Sequence, residues 1–178
     1  MSNNNNILDK LNNALSPTSA TAMPDPEQMI QLGLDILRNS EIGARLVTLV
    51  DQGQCSIQVI ETPEETTYIP EKDKINIGVR KNPPTTPGRF VLLLAGALRE
   101  IEQENSGKKH PELHEPIVKH LSVSVSKQSD KVAHMCAVAY ELNELLDFTE
   151  YNFFDELGKL GYAENINTFL REVRKVEG

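Results

Sequence analysis

The longest apolar run of the chain extends from Pro87 to Glu104 and becomes polar towards its C-terminal end. Its apolar residues recur at the i, i+3, i+4, i+7 spacing of a buried helical face. Residues 90–95 are apolar on every side, which predicts that the first half of this helix is buried all round. Thr86 fits the N-cap and Pro87 the first turn. The rest of the chain must therefore cover this helix on all sides. The residues of the repeating face include Leu94, Ala97, Leu98 and Ile101.

Further helices are predicted on both sides of this run. One begins at Asp25, and Ser40 offers a second start, so the chain up to Gly53 forms either one kinked helix or two. The segment 116–126 fits a strand and a helix, and the pattern does not decide between them. Later helices are predicted over residues 130–146, from 149 or 150 to 160, and over 165–175.

Three short segments before the central run alternate with period two, which predicts strands. They cover residues 55–60, 67–69 and 74–79. In the last of them, Ile75, Ile77 and Val79 point to the same face. We therefore predict an α+β fold in which a small, three-stranded, mostly antiparallel sheet packs against the helices.

The N-terminal part of the chain differs in composition from the rest. Residues 1–23 are rich in Asn, Ser, Thr and Ala, which predicts a flexible tail, and residues 24–178 are predicted to form a single domain. Four apolar tail residues have helical spacing, so a short helix that docks on a partner is an alternative to a frayed tail. They are Ile7, Leu8, Leu11 and Leu15.

Charge and composition exclude several classes of protein. The formal net charge of −8 argues against a surface that binds nucleic acid and against a polybasic membrane patch. No apolar run reaches membrane-spanning length, and the first residues lack the basic and apolar regions of a secretion signal. We therefore expect a cytoplasmic protein in which Cys55 and Cys136 are reduced thiols.

The central run also resembles a known motif. Residues 94–103 read Leu-Ala-Gly-Ala-Leu-Arg-Glu-Ile-Glu-Gln. This frame is similar to the active-site helix of zincin metallopeptidases, and most similar to a group of bacterial metallopeptidase domains of otherwise unknown function. Their helix reads approximately Leu-Ala-His-Glu-Leu-Arg-His-Ala-x-Gln. The resemblance implies a zincin-like fold with an N-terminal helix, a small sheet, this helix and C-terminal helices.

The residues that carry the chemistry differ from the family's pattern. Gly96 and Glu100 stand where the family has its two metal-binding His residues, and Ala97 stands where it has the general-base Glu. Two imidazoles one helical turn apart bind the zinc in that motif, and the Glu activates a water. Gly96 cannot bind a metal and Ala97 cannot accept a proton. Hydrolysis by the family mechanism, and a bound cofactor, are therefore not expected.

A second phrase of the family precedes the helix and marks the edge strand beside the substrate cleft. Tyr68, Pro70, Ile75 and Ile77 match this phrase in order and spacing. The resemblance therefore implies a groove between strand 74–79 and the central helix. An extended peptide would pair with the strand there. The residues assigned to this groove are Ile75, Ile77, Val79 and Arg99.

These observations favour a non-catalytic relative of the zincins that binds a peptide or protein segment. One alternative is a metal-dependent hydrolase with a rearranged zinc site made of Glu100, Asp130 and His134. A histidine from positions 110, 114 or 120 could join that site, although surface histidines are the other explanation for those three. Another alternative is a small acidic adaptor that uses its N-terminal tail to dock.

Overall fold

The computed structural model describes residues 25–71, 73–107, 117–145 and 151–177. The fold is α+β, with helices packed on one three-stranded sheet. In chain order the helices are α1 (Pro26–Leu37), α2 (Glu41–Asp51), α3 (Pro87–Asn105), α4 (Ile117–Leu145), α5 (Phe153–Leu157) and α6 (Ala163–Glu177), and the strands are β1 (Ser56–Glu61), β2 (Thr66–Glu71) and β3 (Lys74–Val79).

The N-terminal segment forms two helices rather than one kinked helix. Ser40 separates them, and its side-chain oxygen accepts a hydrogen bond of 2.8 Å from the backbone N–H of Gly43. This satisfies a donor that has no partner within the helix. A Cβ at position 43 would lie 2.4 Å from the carbonyl oxygen of Leu37, so a glycine is required for this close approach. The cap and the tight turn together fix two separate helices.

The sheet is mixed, with strand order β1-β3-β2, so the prediction of a mostly antiparallel sheet is wrong. β1 runs parallel to β3 in a register that pairs Ser56 with Lys74 and Glu61 with Val79. β2 pairs with the other side of β3 and runs antiparallel to it. The chain thus leaves β1, forms the outer strand β2, and returns between the two.

The prediction that residues 74–79 form an edge strand beside a groove is also wrong. β3 is the central strand, and Ile75, Ile77 and Val79 each have no exposed surface. Three β-branched residues with no exposed surface are best covered at the centre of a sheet, whereas Pro70 cannot donate to a ladder and suits the edge strand β2. The edge strand that contacts α3 is therefore β2, and Ile75, Ile77 and Val79 lie instead on a strand that is paired on both sides.

Helix α3 is the centre of the fold, as the sequence predicts. Every residue from 88 to 98 is buried, and the helix contacts α1, α2, α4, α5, β2 and β3. Thr86 caps it by accepting a hydrogen bond from the backbone N–H of Arg89 at 3.2 Å. Pro87 lies in the first turn, where its missing N–H costs nothing.

Helix α4 is much longer than the predicted helix, because it begins at Ile117 instead of residue 130. The open choice between strand and helix for residues 116–126 is decided in favour of helix from residue 117 onward. Leu121 and Val125 are 60% and 64% exposed, so this first part of α4 projects from the core. In the second part, Met135, Ala139 and Leu142 are buried against the rest of the fold.

The C-terminal helices are joined by a π-helical turn, Gly158–Tyr162. Gly161 has a φ of +94°, which fits the predicted end of a helix there and strongly favours glycine. Helix α5 begins at Phe153, where the side-chain oxygen of Asn152 accepts a hydrogen bond from Phe154 N at 2.8 Å. The predicted start at residue 149 or 150 lies outside the described residues.

Some sequence predictions concern parts of the chain that are not described. Residues 1–24, with the predicted tail and its apolar spacing, and the histidines at positions 110 and 114 lie outside the described residues. In the described ranges, no helix combines the length and the apolar character that crossing a bilayer requires.

Candidate functional site

A small cleft lies where the start of β2 meets α3, α4 and the π-helical turn. Its volume is about 160 Å³. The strand supplies polar side chains, the helices supply one lysine and an apolar wall, and the turn closes the remaining side. The lining residues are Glu65, Thr66, Thr67, Leu93, Lys131, Met135, Leu160 and Tyr162.

The ammonium group of Lys131 is the central charge of this cleft. It donates to Glu100 Oε2 at 3.0 Å and to Thr67 Oγ1 at 3.2 Å. The side chain of Lys131 is 14% exposed and that of Glu100 is 38% exposed. This ion pair therefore joins α3, α4 and β2 in a partly shielded environment, where charges interact more strongly than in water.

Gly96 makes room for the stem of Lys131. A Cβ at position 96 would lie 3.0 Å from Lys131 Cε and 2.8 Å from Met135 Sδ. Gly96 and Glu100 are one helical turn apart on α3, so they present one face to α4. Lys131 thus contacts both positions at which the zincin frame has its metal-binding residues. Ala97 is fully buried in the core. None of positions 96, 97 and 100 lines the cleft itself, and Glu100 is linked to it through Lys131.

Arg99 and Asp130 form a second ion pair between α3 and α4. Arg99 Nε donates to Asp130 Oδ2 at 2.7 Å, and Gln103 Nε2 donates to the same oxygen. Burial by itself raises the pKa of Asp130, but the hydrogen bonds from Gln103 and Arg99 and the charge of Arg99 outweigh it and lower this pKa below its ordinary value. Asp130 is therefore ionised, and its carboxylate is occupied by hydrogen bonds from Arg99 and Gln103. Arg99, assigned to a peptide groove by the sequence, is bound to it.

The predicted metal trio is not assembled into one site. Glu100 is paired with Lys131, and Asp130 is paired with Arg99. His134 Nδ1 lies 2.9 Å from the carbonyl oxygen of Asp130, so this nitrogen carries the proton that it donates. Over the described ranges, no three His, Cys, Asp or Glu side chains are grouped closely enough to hold a metal ion.

A third ion pair continues the contact between the two helices. Lys127 lies one turn before Lys131 on α4 and pairs with Glu104 of α3. Its side chain is 9% exposed, so it is at least as well shielded as Lys131. The two lysines thus have similar positions and similar partners, but only Lys131 lines the cleft.

A further charge cluster lies at the N-terminal end of α3 and shares Glu65 with the lining of the cleft. Arg89 Nε donates to Glu156 Oε2 at 2.8 Å, and Arg89 Nη1 donates to Glu65 Oε1 at 2.7 Å. The three side chains are 6–9% exposed. Arg80 also pairs with Glu65, at 3.0 Å, and Lys159 pairs with Glu156, at 2.8 Å. We call these five residues the Arg89 cluster. It ties β2 and α5 to the start of α3.

Glu156 is ionised within this cluster. Burial raises its pKa, but hydrogen bonds from Lys159 and Thr86 and the charges of Lys159 and Arg89 together bring the pKa below its ordinary value. Thr86 Oγ1 donates to Glu156 Oε2 at 2.8 Å. The N-cap of α3 is therefore part of the same network as the carboxylate that fixes α5.

The two thiols of the chain are unsuited to nucleophilic chemistry. Cys55 and Cys136 are buried. Burial raises the pKa of each to about 11, with a contribution from Asp73 at Cys55. A thiolate, and not a thiol, is the nucleophile, so both residues are inert at neutral pH.

Sequence reasoning identified Gly96 and Glu100 as site residues but missed Lys131, Thr67 and Glu65. Helical periodicity places each residue on its own helix and says nothing of which residue faces it from another element. One signal was visible, since Arg89 directly precedes the segment 90–95 that the sequence predicts to be buried all round. A buried arginine requires carboxylate partners.

No protein-family model, curated protein or solved structure matches this chain.

Proposed function

We propose that this protein is a non-catalytic, zincin-like cytoplasmic domain that binds a protein segment, with the ion pair of Lys131 and Glu100 in the place of the catalytic metal. One observation carries the proposal. The Lys131 ammonium binds Glu100, and its stem passes over Gly96, so it occupies the face that the frame reserves for zinc.

The chemistry of that face supports binding rather than hydrolysis. A catalytic zinc needs three protein ligands and an open position for water. Of the frame's positions, only Glu100 retains a group that can coordinate a metal, and it already neutralises a lysine. A divalent cation placed beside an ammonium group would be repelled by it. The fixed positive charge of Lys131 therefore substitutes for a metal in balancing Glu100.

The edge strand beside the cleft offers a surface for a protein segment. Among the described strands, β1 and β2 each have a partner on one side only, and it is β2 whose residues Thr66 and Thr67 line the cleft. Tyr68 is 62% exposed, and Pro70 limits further pairing towards the C-terminal end of the strand. An extended segment that adds to β2 would place one of its side chains into the cleft.

The rearranged hydrolase is less favoured, because Asp130 is engaged by Arg99 and Gln103 instead of approaching Glu100. The acidic adaptor would use a tail that lies outside the described residues, so no observation distinguishes it.

Zinc analysis of the untagged protein tests the proposal. We expect much less than one zinc per chain after purification from zinc-supplemented cultures, and no cleavage of unfolded protein substrates with added zinc. His134→Ala tests the rearranged hydrolase, because His134 is one of the predicted ligands of its zinc site. One tightly bound zinc per chain that Glu100→Gln releases, or cleavage that Glu100→Gln abolishes, would overturn the proposal.

A further inference from the structure

We infer that the cleft lined by Lys131 and Thr67 is a binding site for a small aliphatic carboxylate, such as the side chain or the terminus of an acidic peptide segment. The inference deepens the proposed function and rests on it in one respect: Lys131, and not a metal, must be the charge that the ligand meets.

The cleft presents free hydrogen-bond donors to a ligand and few free acceptors. A lysine ammonium has three N–H donors, and the described contacts of Lys131 use two of them, to Glu100 and Thr67. Because Thr67 Oγ1 is an acceptor in that contact, its own O–H is left to donate, and Thr66 lines the same cleft. A ligand that fits must be rich in acceptors, as a carboxylate is.

The acidic group of the cleft does not oppose such a ligand. Both oxygens of Glu65 accept hydrogen bonds from Arg89, and one of them also pairs with Arg80. Its charge is therefore neutralised by two guanidinium groups. The described ion pairs of the cleft and of the Arg89 cluster contain four cations and three anions. The cations are Arg80, Arg89, Lys131 and Lys159, and the anions are Glu65, Glu100 and Glu156.

The acids of these pairs are thus balanced by cations, in contrast to the chain as a whole, whose formal net charge is −8. A negatively charged ligand is repelled less at this point than by the rest of the surface. Charge-assisted hydrogen bonds from an ammonium to a carboxylate are about twice as strong as neutral ones. The electrostatics thus favour an anion here over a neutral amide of the same shape.

The size of the cleft limits the ligand to a short chain. Its volume of about 160 Å³ corresponds to roughly five water molecules, each with about 30 Å³ of liquid volume. This is room for a carboxyl group and a few methylene groups. Leu93, Met135 and Leu160 are the apolar residues of its lining, and Leu93 and Met135 are only 8% and 1% exposed, so they offer the ligand little apolar surface. A phosphate also has enough acceptors, and it serves as the competing probe.

An NMR titration of the full-length protein tests the site with butyrate as the probe, butyramide as its neutral isostere, and inorganic phosphate. We expect butyrate to shift the amide signals of Thr66, Thr67 and Lys131 in a saturable way. Butyramide is expected to bind at least about tenfold more weakly, because it loses the charge-assisted bond. Equal binding of butyramide, or tighter binding of phosphate, would overturn the carboxylate assignment.

Two variants locate the binding group. Lys131→Met is expected to weaken butyrate binding about tenfold. Lys127→Met, which removes an equally shielded lysine one turn away, is expected to change it less than about twofold. Equal losses in both would show a general effect of net charge and contradict the site. Should Lys131→Met fail to fold, Thr67→Val removes another donor of the same cleft and is expected to weaken binding.

Peptides distinguish the source of the carboxylate. A short peptide with a free C-terminus, the same peptide amidated, and an amidated peptide with one internal glutamate are compared by the same amide shifts. Binding of the first alone indicates a terminal carboxylate, and binding of the third indicates a side chain. If none of these and no butyrate binds while the protein holds no zinc, the carboxylate inference fails and the proposed function is left standing. Stoichiometric zinc removes the proposed function.

Discussion

The two ends of α3 are both surrounded by charges, but the charges are arranged differently. At its start, Arg89 contacts Glu65 and Glu156, and all three side chains are nearly inaccessible to solvent. Further along, Lys131 contacts Glu100, whose side chain is 38% exposed. A buried charge that loses its partner is left uncompensated, whereas a half-exposed charge is solvated by water. The first arrangement therefore stabilises the fold, whereas the charges of the second can exchange partners with a ligand.

Removal of the central cation of each cluster should give the largest contrast. Arg89→Met leaves Glu65 and Glu156 buried without their main partner, and we expect a loss of about 3–5 kcal/mol in the free energy of unfolding. Lys131→Met leaves Glu100 in contact with solvent, and a loss of only about 0–1 kcal/mol is expected. Urea unfolding followed by circular dichroism measures both.

The control replaces all three members of the buried triad at once, with Met at position 89 and Gln at positions 65 and 156. The two buried carboxylates are then neutral, and Arg80 and Lys159, which lose their partners, are 29% and 58% exposed. This variant should therefore be more stable than Arg89→Met alone. Equal losses for Arg89→Met and Lys131→Met would show that the two clusters do not differ in the way that their exposure implies.

Two glycines of α3 extend the comparison to packing. A Cβ at position 88 would lie 1.7 Å from the hydroxyl oxygen and 2.7 Å from Cζ of Tyr151, and a rigid ring cannot bend away. We expect Gly88→Ala to destabilise the fold by about 1–3 kcal/mol. Gly96→Ala meets the flexible ends of Met135 and Lys131, and the higher helix propensity of alanine, worth about 1 kcal/mol, should largely offset the crowding.

Thermal and urea unfolding of the two alanine variants measures this difference. Tyr151→Phe in the Gly88→Ala background is the matched test, because it removes the hydroxyl oxygen that the new methyl group would strike and should recover part of the stability. A Gly96→Ala variant less stable than Gly88→Ala would mean that the cleft is packed more rigidly than the start of the helix.

The smallest expected effect concerns pH, because burial and hydrogen bonding act on Glu156 in opposite directions. Its pKa in the folded protein lies below the ordinary value of 4.5. A lowered pKa contributes stability that is present above the unfolded value and is lost as the pH falls through the folded value. Between about pH 5 and pH 3, the stability of Glu156→Gln should therefore fall less steeply than that of the wild type.

Asp130→Asn extends this measurement to the ion pair that Asp130 of α4 forms with Arg99, nearer the C-terminal end of α3. The ordinary pKa of Asp130 is 3.8 and its folded pKa lies below that value, so its contribution begins to be lost at a lower pH than that of Glu156. Urea unfolding at several pH values gives both slopes. A Glu156→Gln variant whose slope equals that of the wild type would contradict the lowered pKa.

Local sequence signals predicted most helices of the fold and less of the sheet. Ser40 and Thr86 are caps in the structure, and Gly161 adopts the left-handed conformation expected at a helix end. Each depends on neighbours within a few residues. The sheet order depends on which strand is most deeply covered, and the alternation in 74–79 predicted a strand without predicting that it would lie between the other two.

The candidate site was likewise predicted only in part from the sequence. The substitutions at Gly96 and Glu100 could be identified from the sequence, because their spacing is that of one helical turn. The identity of the group that faces them could not, since 31 residues separate Glu100 from Lys131 and the hydrogen bond joins two different helices. Thr67 is still farther from Lys131 along the chain, at 64 residues.

The sequence by itself determined that one helix would be surrounded by the rest of the chain, because a segment that is apolar on every side is stable only when every side is covered. It also determined that two positions of this helix lack the imidazoles that a zincin requires. Only the tertiary structure decided that a lysine from α4 occupies this face and that β2 forms the edge beside it. The physical reason is that periodicity fixes the direction of each side chain within its own element, whereas the packing of distant elements fixes which charges meet.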